Sequence, residues 1–347
     1  MSSAKTAGTS LRASQLICRE GVQQEGVPRG YGLLLRHGYV VELAPGLASG
    51  FTLFQRSLSR LSERCRQTFL ELSAQELSLP ASEGSALINL VLHGGAAQAT
   101  ELVSGFVLGA GFRHGGPAPR GLYDMPLYQR FDAVVVASAA DAPAEWMTRA
   151  VDGLLSHLDL SVSRRDADED HVELVVAIPG VEEGEVIGRI RRGALEGTGR
   201  ELALVSLDLC ALLGVVADVH SDEQGLAWPA GLAPFDVGLL VVKPSDAAAC
   251  ALIEKVRVDL LDAGFDVLVD DRPLDAASRR KAVEAWGLPL RVLAGPSANQ
   301  GELLLEQRRV AGPPERVAQG ELLARVRQAL GRSANESGSP LRRRANF

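Results

Sequence analysis

Val269-Asp270-Asp271-Arg272 sets two carboxylates and a guanidinium at the end of a short apolar run, and Ser278-Arg279-Arg280-Lys281 follows with three cations. Carboxylates accept hydrogen bonds, while a guanidinium presents a rigid planar fork of donors suited to anionic oxygens. Arg308 and Arg309 form a further basic pair downstream. The competing reading is an internal Asp–Arg pair among ordinary surface charges. Upstream, Phe112-Arg113-His114-Gly115 puts one arginine before a glycine-rich loop. There it holds an anion by a charge-assisted contact or simply faces solvent on a turn. His171, among Asp168, Glu169 and Asp170, is a lone histidine and weak evidence for catalysis. The chain contains no GxxxxGK[ST], HExxH or GxSxG. Cys18, Cys65, Cys210 and Cys250 lie far apart with no metal-ligand spacing, so no metal site is expected. Cys65 and Cys210 fall in apolar helical patterns and read as small buried hydrophobes.

These groups need a scaffold, and 347 residues at 46% hydrophobic supply enough apolar surface for two domains with short disordered ends. A run of apolar residues long enough to span a bilayer is missing, as is the charged-then-apolar order of a signal peptide. A soluble cytoplasmic protein is the expectation. A net charge of −7 argues against broad non-specific affinity for nucleic acid but leaves room for a local basic face. Phe54, Leu58, Leu61, Cys65 and Phe69 recur at helical spacing over 52–71, with Arg56, Arg60, Arg64 and Arg66 off that stripe as solvated charge. Leu87–Leu92, Ala133–Ser138 and Val172–Ile178 read as buried strands, and residues 143–158 as a helix. Scattered strands and helices suggest an α+β body with a mainly antiparallel sheet. After Pro229 the order becomes strand 237–242, helix 247–262 capped by Asp246, strand 267–269, helix 276–286, strand 290–293 and helix 319–330. Such alternation implies parallel pairing with right-handed crossovers.

Trp228-Pro229-Ala230-Gly231-Leu232-Ala233-Pro234-Phe235-Asp236-Val237, followed by Val269-Asp270-Asp271-Arg272, Gly287-Leu288-Pro289 and Glu306-Gln307-Arg308-Arg309, resembles the C-terminal anticodon-binding domain of prolyl-tRNA synthetase. The stretch from Leu33 to Ala44, the helix after it and Glu76-Leu77-Ser78-Leu79-Pro80 resemble the class II synthetase core and its first motif, which in the family forms a dimer interface. The resemblance implies a degenerate synthetase-like body over 29–227, an α/β anticodon-binding-like domain with a mixed sheet over 228–332, a flexible arm over 1–28 and a disordered basic tail over 333–347. It also implies missing chemistry. Gly94 and Ala96 stand where the family binds proline, Gly115 where it carries a glutamate and Ala211 where an arginine clamps ATP. Ser206 and Asp208 replace glycines. Arg113 survives as a nucleotide-binding remnant. The substrate loop around Asp168–Glu173 is shortened, and no room remains for the editing insertion of many bacterial members.

What the resemblance implies is a catalytically inactive synthetase-like pseudoenzyme, with no catalytic residue and no cofactor. It would form a homodimer through the helix and strand from Thr52 to Pro80, where the helix carries the apolar stripe, and bind tRNA, tRNA-Pro among them, or serve as an accessory subunit. Asp271, Arg272, Arg279, Lys281, Arg308 and Arg309 are the expected RNA contacts, with Arg272, Arg279, Lys281 and Arg308 on one face, since single-stranded loops are read by base edges, stacking and phosphate contacts. Trp286 reads as core rather than as a stacking platform. Two alternatives stand beside it: a diverged working proline–tRNA ligase using ATP and Mg, and a protein-binding scaffold without RNA.

Overall fold

The computed structural model describes residues 8–17, 27–44, 47–79, 84–113, 121–229 and 231–331. The chain opens with a short strand, β1 (Ser10–Arg12), then α1 (Arg29–Arg36), the hairpin of β2 (Val40–Ala44) and β3 (Leu47–Gly50), and the long α2 (Thr52–Glu71). There follow β4 (Gln75–Glu76), α3 (Gly84–Val91), β5 (Val103–Phe112), β6 (Leu127–Ser138) and α4 (Pro143–His157). The hairpin strands β7 (Val162–Asp166) and β8 (His171–Ile178), then β9 (Val181–Leu195), β10 (Arg200–Asp208) and α5 (Leu209–Val219), complete the body. Its sheet runs β4-β5-β6-β10-β9-β8-β7. Pairing is antiparallel throughout except for β4 on β5. Helices α2, α4 and α5 cover one face, and α3 packs on the other through Leu87, Ile88 and Val91 against Val107, Val134 and Leu204.

A small hairpin of β11 (Ser221–Asp222) and β12 (Gly225–Leu226) leads to the second unit. That unit comprises β13 (Val237–Val241), α6 (Ala247–Asp262), β14 (Val267–Asp270), α7 (Ala276–Ala285), β15 (Leu290–Ala294), β16 (Glu302–Gln307), β17 (Glu315–Ala318) and α8 (Gln319–Ala329). The sheet order is β1-β14-β13-β15-β16-β17, parallel up to β15 and antiparallel beyond. Asp246 caps α6 by accepting from the Ala248 and Ala249 amides, and Gly264 ends that region at φ 86°, a left-handed conformation glycine takes without strain.

Several expectations need correction. Leu87–Leu92 is helical: Leu87, Ile88 and Val91 share one buried face while Leu90 is exposed, the signature of a 3.6-residue period. The first 28 residues are not wholly a loose arm, because β1 adds an edge strand to the C-terminal sheet. The α2 stripe is covered from within by the body's own core, so it is not left open for a two-fold partner. Arg56 and Arg60 are not solvated. Arg60 is 1% exposed and lies 3.0 Å from Asp236 and 2.7 Å from Asp266, two carboxylates of the C-terminal unit. Arg56 reaches the same Asp266 at 2.9 Å and lies over the Phe235 ring. Arg66 pairs with Glu63 and Glu76.

The two units share a core. Trp228, Phe235, Val283, Trp286 and Leu288 pack in one cluster with Tyr39, Leu53 and Leu61, so the chain passes from one unit to the other through buried apolar residues rather than a linker. The Tyr39 hydroxyl donates to the Trp286 carbonyl, and the Trp286 indole donates to the His37 carbonyl. Trp286 is core, as expected.

Candidate functional site

The body's open face presents the side chains of alternate residues on five neighbouring strands. Cross-strand register sets Arg165 opposite Glu173, Glu173 opposite Arg189, Arg189 opposite Ser206, Ser206 opposite Asp132, and Asp208 opposite Arg130. Residues facing each other on a sheet lie close enough for charge to decide whether they attract. Here the signs alternate. Glu173 accepts from Arg165 at 2.7 Å and from Arg189 at 2.9 Å, and Arg130 reaches Asp132 at 2.8 Å and the Ser206 hydroxyl at 3.2 Å. Of these groups Arg130, Arg189 and Ser206 line a cleft of about 590 Å³ that also receives Arg113, Tyr128, His171, Arg191 and Asp208.

Arg113, the expected anion ligand, is held from three sides. Its Nε donates to the Met125 carbonyl, its Nη2 to Asp208, and its guanidinium lies 4.5 Å from the Tyr128 ring centre. Asp208 has a second duty as the N-cap of α5, one oxygen accepting from the Cys210 and Ala211 amides. Burial pushes the Asp208 carboxyl up from its ordinary value, against the pull of the Ala211 amide and Arg113. Ala211 is 1% exposed in the α5 core. Gly94 and Ala96 lie in a π-helical turn over Leu92–Ala96, and Gly115 and His114 lie outside the described residues. His171 sits at the β7–β8 hairpin, where Asp168 accepts from its amide and contacts its ring. Arg191 lies opposite His171 and is exposed, and among the described residues it pairs with no carboxylate. Periodicity was the missed signal: Arg130-Phe131-Asp132 and Arg189-Ile190-Arg191 each put two charges on one strand face.

The six residues expected to meet RNA do not form one site. Asp271 and Arg272 follow the carboxyl end of β14. Arg308 follows β16, whose Gln307 pairs with Leu290 at the opposite, amino end of β15. Because β14, β13 and β15 are parallel and in register, at least three residues of strand, about 10 Å, separate the two ends. Nor do Arg308 and Arg309 lie in a strand. They line an interdomain cleft of about 890 Å³, where Arg308 grips Asp222 and Arg309 contacts His220 and the Ala227 carbonyl. Arg279 is buried, donating to the Asp270 and Val241 carbonyls and so plugging the gap between the ends of β14 and β13. Arg272 grips Asp270 through two hydrogen bonds of 2.9 and 2.6 Å and lies 4.6 Å from the Trp286 ring centre. The internal Asp–Arg pair is therefore the arrangement found. Asp271 and Lys281 remain at the surface. Among the described residues no cluster of His, Cys, Asp and Glu could hold a metal ion. No described helix is long and apolar enough to cross a membrane.

No family model matches the chain. Over 116 residues it is 34% identical to a proline–tRNA ligase of Xanthobacter autotrophicus, a match covering 33% of this chain and 26% of that protein. Over 159 residues it is 31% identical to a proline–tRNA ligase of Limosilactobacillus reuteri, covering 43% and 27%. The chain thus matches only about a quarter of the length of these relatives. Among solved structures, prolyl-tRNA synthetase from Cryptosporidium parvum complexed with L-proline and AMP superposes with a TM-score of 0.71 at 13% identity, over 87% of this chain and 77% of that one. Giardia lamblia prolyl-tRNA synthetase in complex with prolyl-adenylate gives 0.70 at 12%, over 86% and 80%.

Proposed function

We propose that this chain, which is prolyl-tRNA synthetase-like and class II in fold, does not make prolyl-adenylate and uses the fold for binding. The observation that carries the proposal is the Arg113–Asp208 pair. Activation of an amino acid by ATP needs preorganised positive charge aimed at the phosphates. In this cleft Arg113, Arg130 and Arg189 are each matched by a carboxylate of the same sheet, and the α5 position implied for the clamp is a core alanine. Loss of one such donor costs about 3–4 kcal/mol of transition-state stabilisation. Gly94, Ala96, Gly115 and Ala211 would remove several at once. With no catalysis there is no call for ATP or Mg.

The test is proline-dependent exchange of pyrophosphate into ATP by the purified protein. No exchange above a blank without enzyme is expected. Exchange that disappears in Arg113→Ala would favour a diverged proline–tRNA ligase instead.

For the binding role, tRNA is the reading the carboxyl end of the C-terminal sheet supports best. Ligands of open α/β sheets bind outside the carboxyl ends of the strands. There Asp271 offers two acceptor oxygens and the exposed Lys281 a mobile cation, next to the Arg272–Trp286 stack. Arg308 and Arg309, at the other end, are left to the interdomain contact. Full-length protein should bind a proline tRNA transcript at low salt, and Lys281→Glu should weaken it and flatten its salt dependence. No binding at low salt would favour a protein-binding scaffold or accessory subunit. A homodimer and a cytoplasmic location complete the proposal on the strength of the family resemblance alone, and light scattering at micromolar concentration tests the first.

A further inference from the structure

The segment at residues 8–17 reaches the C-terminal sheet as an added parallel strand, and its two ends do different things. Its beginning is anchored. The Gly8 amide donates to the Leu261 carbonyl at 2.6 Å, the Thr9 amide to Asp266 at 2.9 Å, and the Val267 amide donates back to the Thr9 carbonyl at 2.8 Å. The Thr9 hydroxyl also accepts from Arg56 of α2, which ties the strand to both domains at once. A side chain at Gly8 has no room, because a Cβ there would stand 1.8 Å from the Phe265 carbonyl oxygen.

The far end of the segment occupies Asp271. The Ser14 amide donates to one carboxylate oxygen at 2.9 Å and the Ser14 hydroxyl to the other at 2.8 Å. Arg12 stands 3.8 Å from Asp271 and 3.9 Å from Glu254, on the same surface. Two neighbouring donors on the two oxygens of one carboxylate is the pattern by which a nucleic-acid base edge with adjacent N–H groups would be read. Ser14 supplies that pattern from within the chain.

We propose that residues 8–17 are a strap that keeps Asp271 internally satisfied, so that RNA reaches the carboxyl end of the sheet only when Ser14 lets go. This rests on the reading that the sheet end binds RNA, and it adds competition from the chain's own N-terminal segment. Two features fit a releasable contact. Ser14 and Asp271 are both exposed, so water can replace each bond, whereas Gly8 and Asp266 are buried. Strand pairing spans only Ser10–Arg12 and ends before Ser14.

The test uses the full chain, a proline tRNA transcript as probe, and hydrogen exchange at the Val267 amide as a readout that needs no RNA. Gly8→Val, which the Phe265 carbonyl cannot accommodate, should undock the strap and deprotect Val267. Apparent tRNA affinity should then rise about threefold to tenfold, the factor by which a competitor present roughly 70–90% of the time lowers it. Ser14→Ala, an exposed and conservative change, should raise affinity about twofold or more with Val267 still protected, and it carries the test if Gly8→Val does not fold. Deprotected Val267 with unchanged or weaker tRNA binding overturns the strap while leaving the RNA reading intact. Unaltered Val267 protection in a folded Gly8→Val protein overturns the docking geometry. Failure of wild type and both variants to bind tRNA at low salt removes the RNA reading and the strap together.

Discussion

Arg60→Ala should be among the costliest substitutions available in α2, although its position on the helix reads as surface charge. The guanidinium is 1% exposed and bridges Asp236 at 3.0 Å and Asp266 at 2.7 Å, carboxylates that are themselves 2% and 0% exposed. Removing one partner of a buried pair costs about 3–5 kcal/mol, because the remaining charge stays desolvated. Arg56 still lies 2.9 Å from Asp266, and Asp236 still accepts from the Asp266 amide, so the lower end, about 3 kcal/mol, is expected. With an unfolding entropy near 2.1 cal/mol/K per residue, that amounts to a fall in Tm of about 4 °C for a chain of this length. The pH dependence carries a sign. Burial by itself would raise the Asp266 carboxyl, but Arg60 and then Arg56 hold it below its ordinary value. A depressed carboxyl contributes stability above the unfolded value near pH 4 and loses it as pH falls through the lower folded value. Without Arg60 the carboxyl loses its largest lowering influence and moves up, so the variant loses less stability than the wild type on acidification. Urea unfolding followed by far-ultraviolet dichroism and tryptophan fluorescence should show a larger deficit at about pH 7.5 than at about pH 3, below the unfolded value. Arg149→Ala, on an exposed pair, should change stability by less than about 0.5 kcal/mol. A deficit for Arg60→Ala below about 1 kcal/mol at both pH values would mean that the cluster is not buried between the domains.

Ala211→Arg, which puts back the cation implied for an ATP clamp, should fail to create exchange activity and should destabilise the fold by about 3 kcal/mol or more, because α5 buries that position; thermal denaturation and pyrophosphate exchange check both halves. Arg279→Ala should cost about 2–4 kcal/mol by leaving the Asp270 and Val241 carbonyls without their donors, while Lys281→Ala stays within about 0.5 kcal/mol in the same urea assay. Charge reversal at Arg279 would therefore report on folding rather than on RNA. Burial pushes the Cys65 and Cys210 thiols up to about 12, so among the described cysteines only the exposed Cys250 should react with a thiol reagent in the native state, and all should react in denaturant.

The elements that were legible in the sequence are those whose signal is local. The α2 helix and α6 run between the bounds that apolar spacing and the Asp246 cap indicated, and the parallel alternation of β13, β14 and β15 followed from strand-helix-strand order. Leu87–Leu92 was misread because a short apolar run fits a strand and a helix equally well until its neighbours choose the face. Side-chain roles fared worse. Arg60 and Arg64 are alike in type and one helical turn apart, yet only Arg60 meets carboxylates brought from the C-terminal unit. Arg279 and Lys281 are two residues apart on α7, but one plugs the strand ends and the other faces water. Asp208 reads as a misplaced negative charge next to a lost nucleotide site, and the fold gives it two positive partners, a helix end and Arg113. Periodicity and capping depend on neighbours within one turn or one strand pair, so the sequence by itself determines the elements with a clear local signal, such as α2, α6 and the order of β13, β14 and β15. Whether a charge is spent inside the molecule or left for a ligand depends on what lies across an interface, often a hundred or more residues away in the chain, and only the tertiary structure decides that.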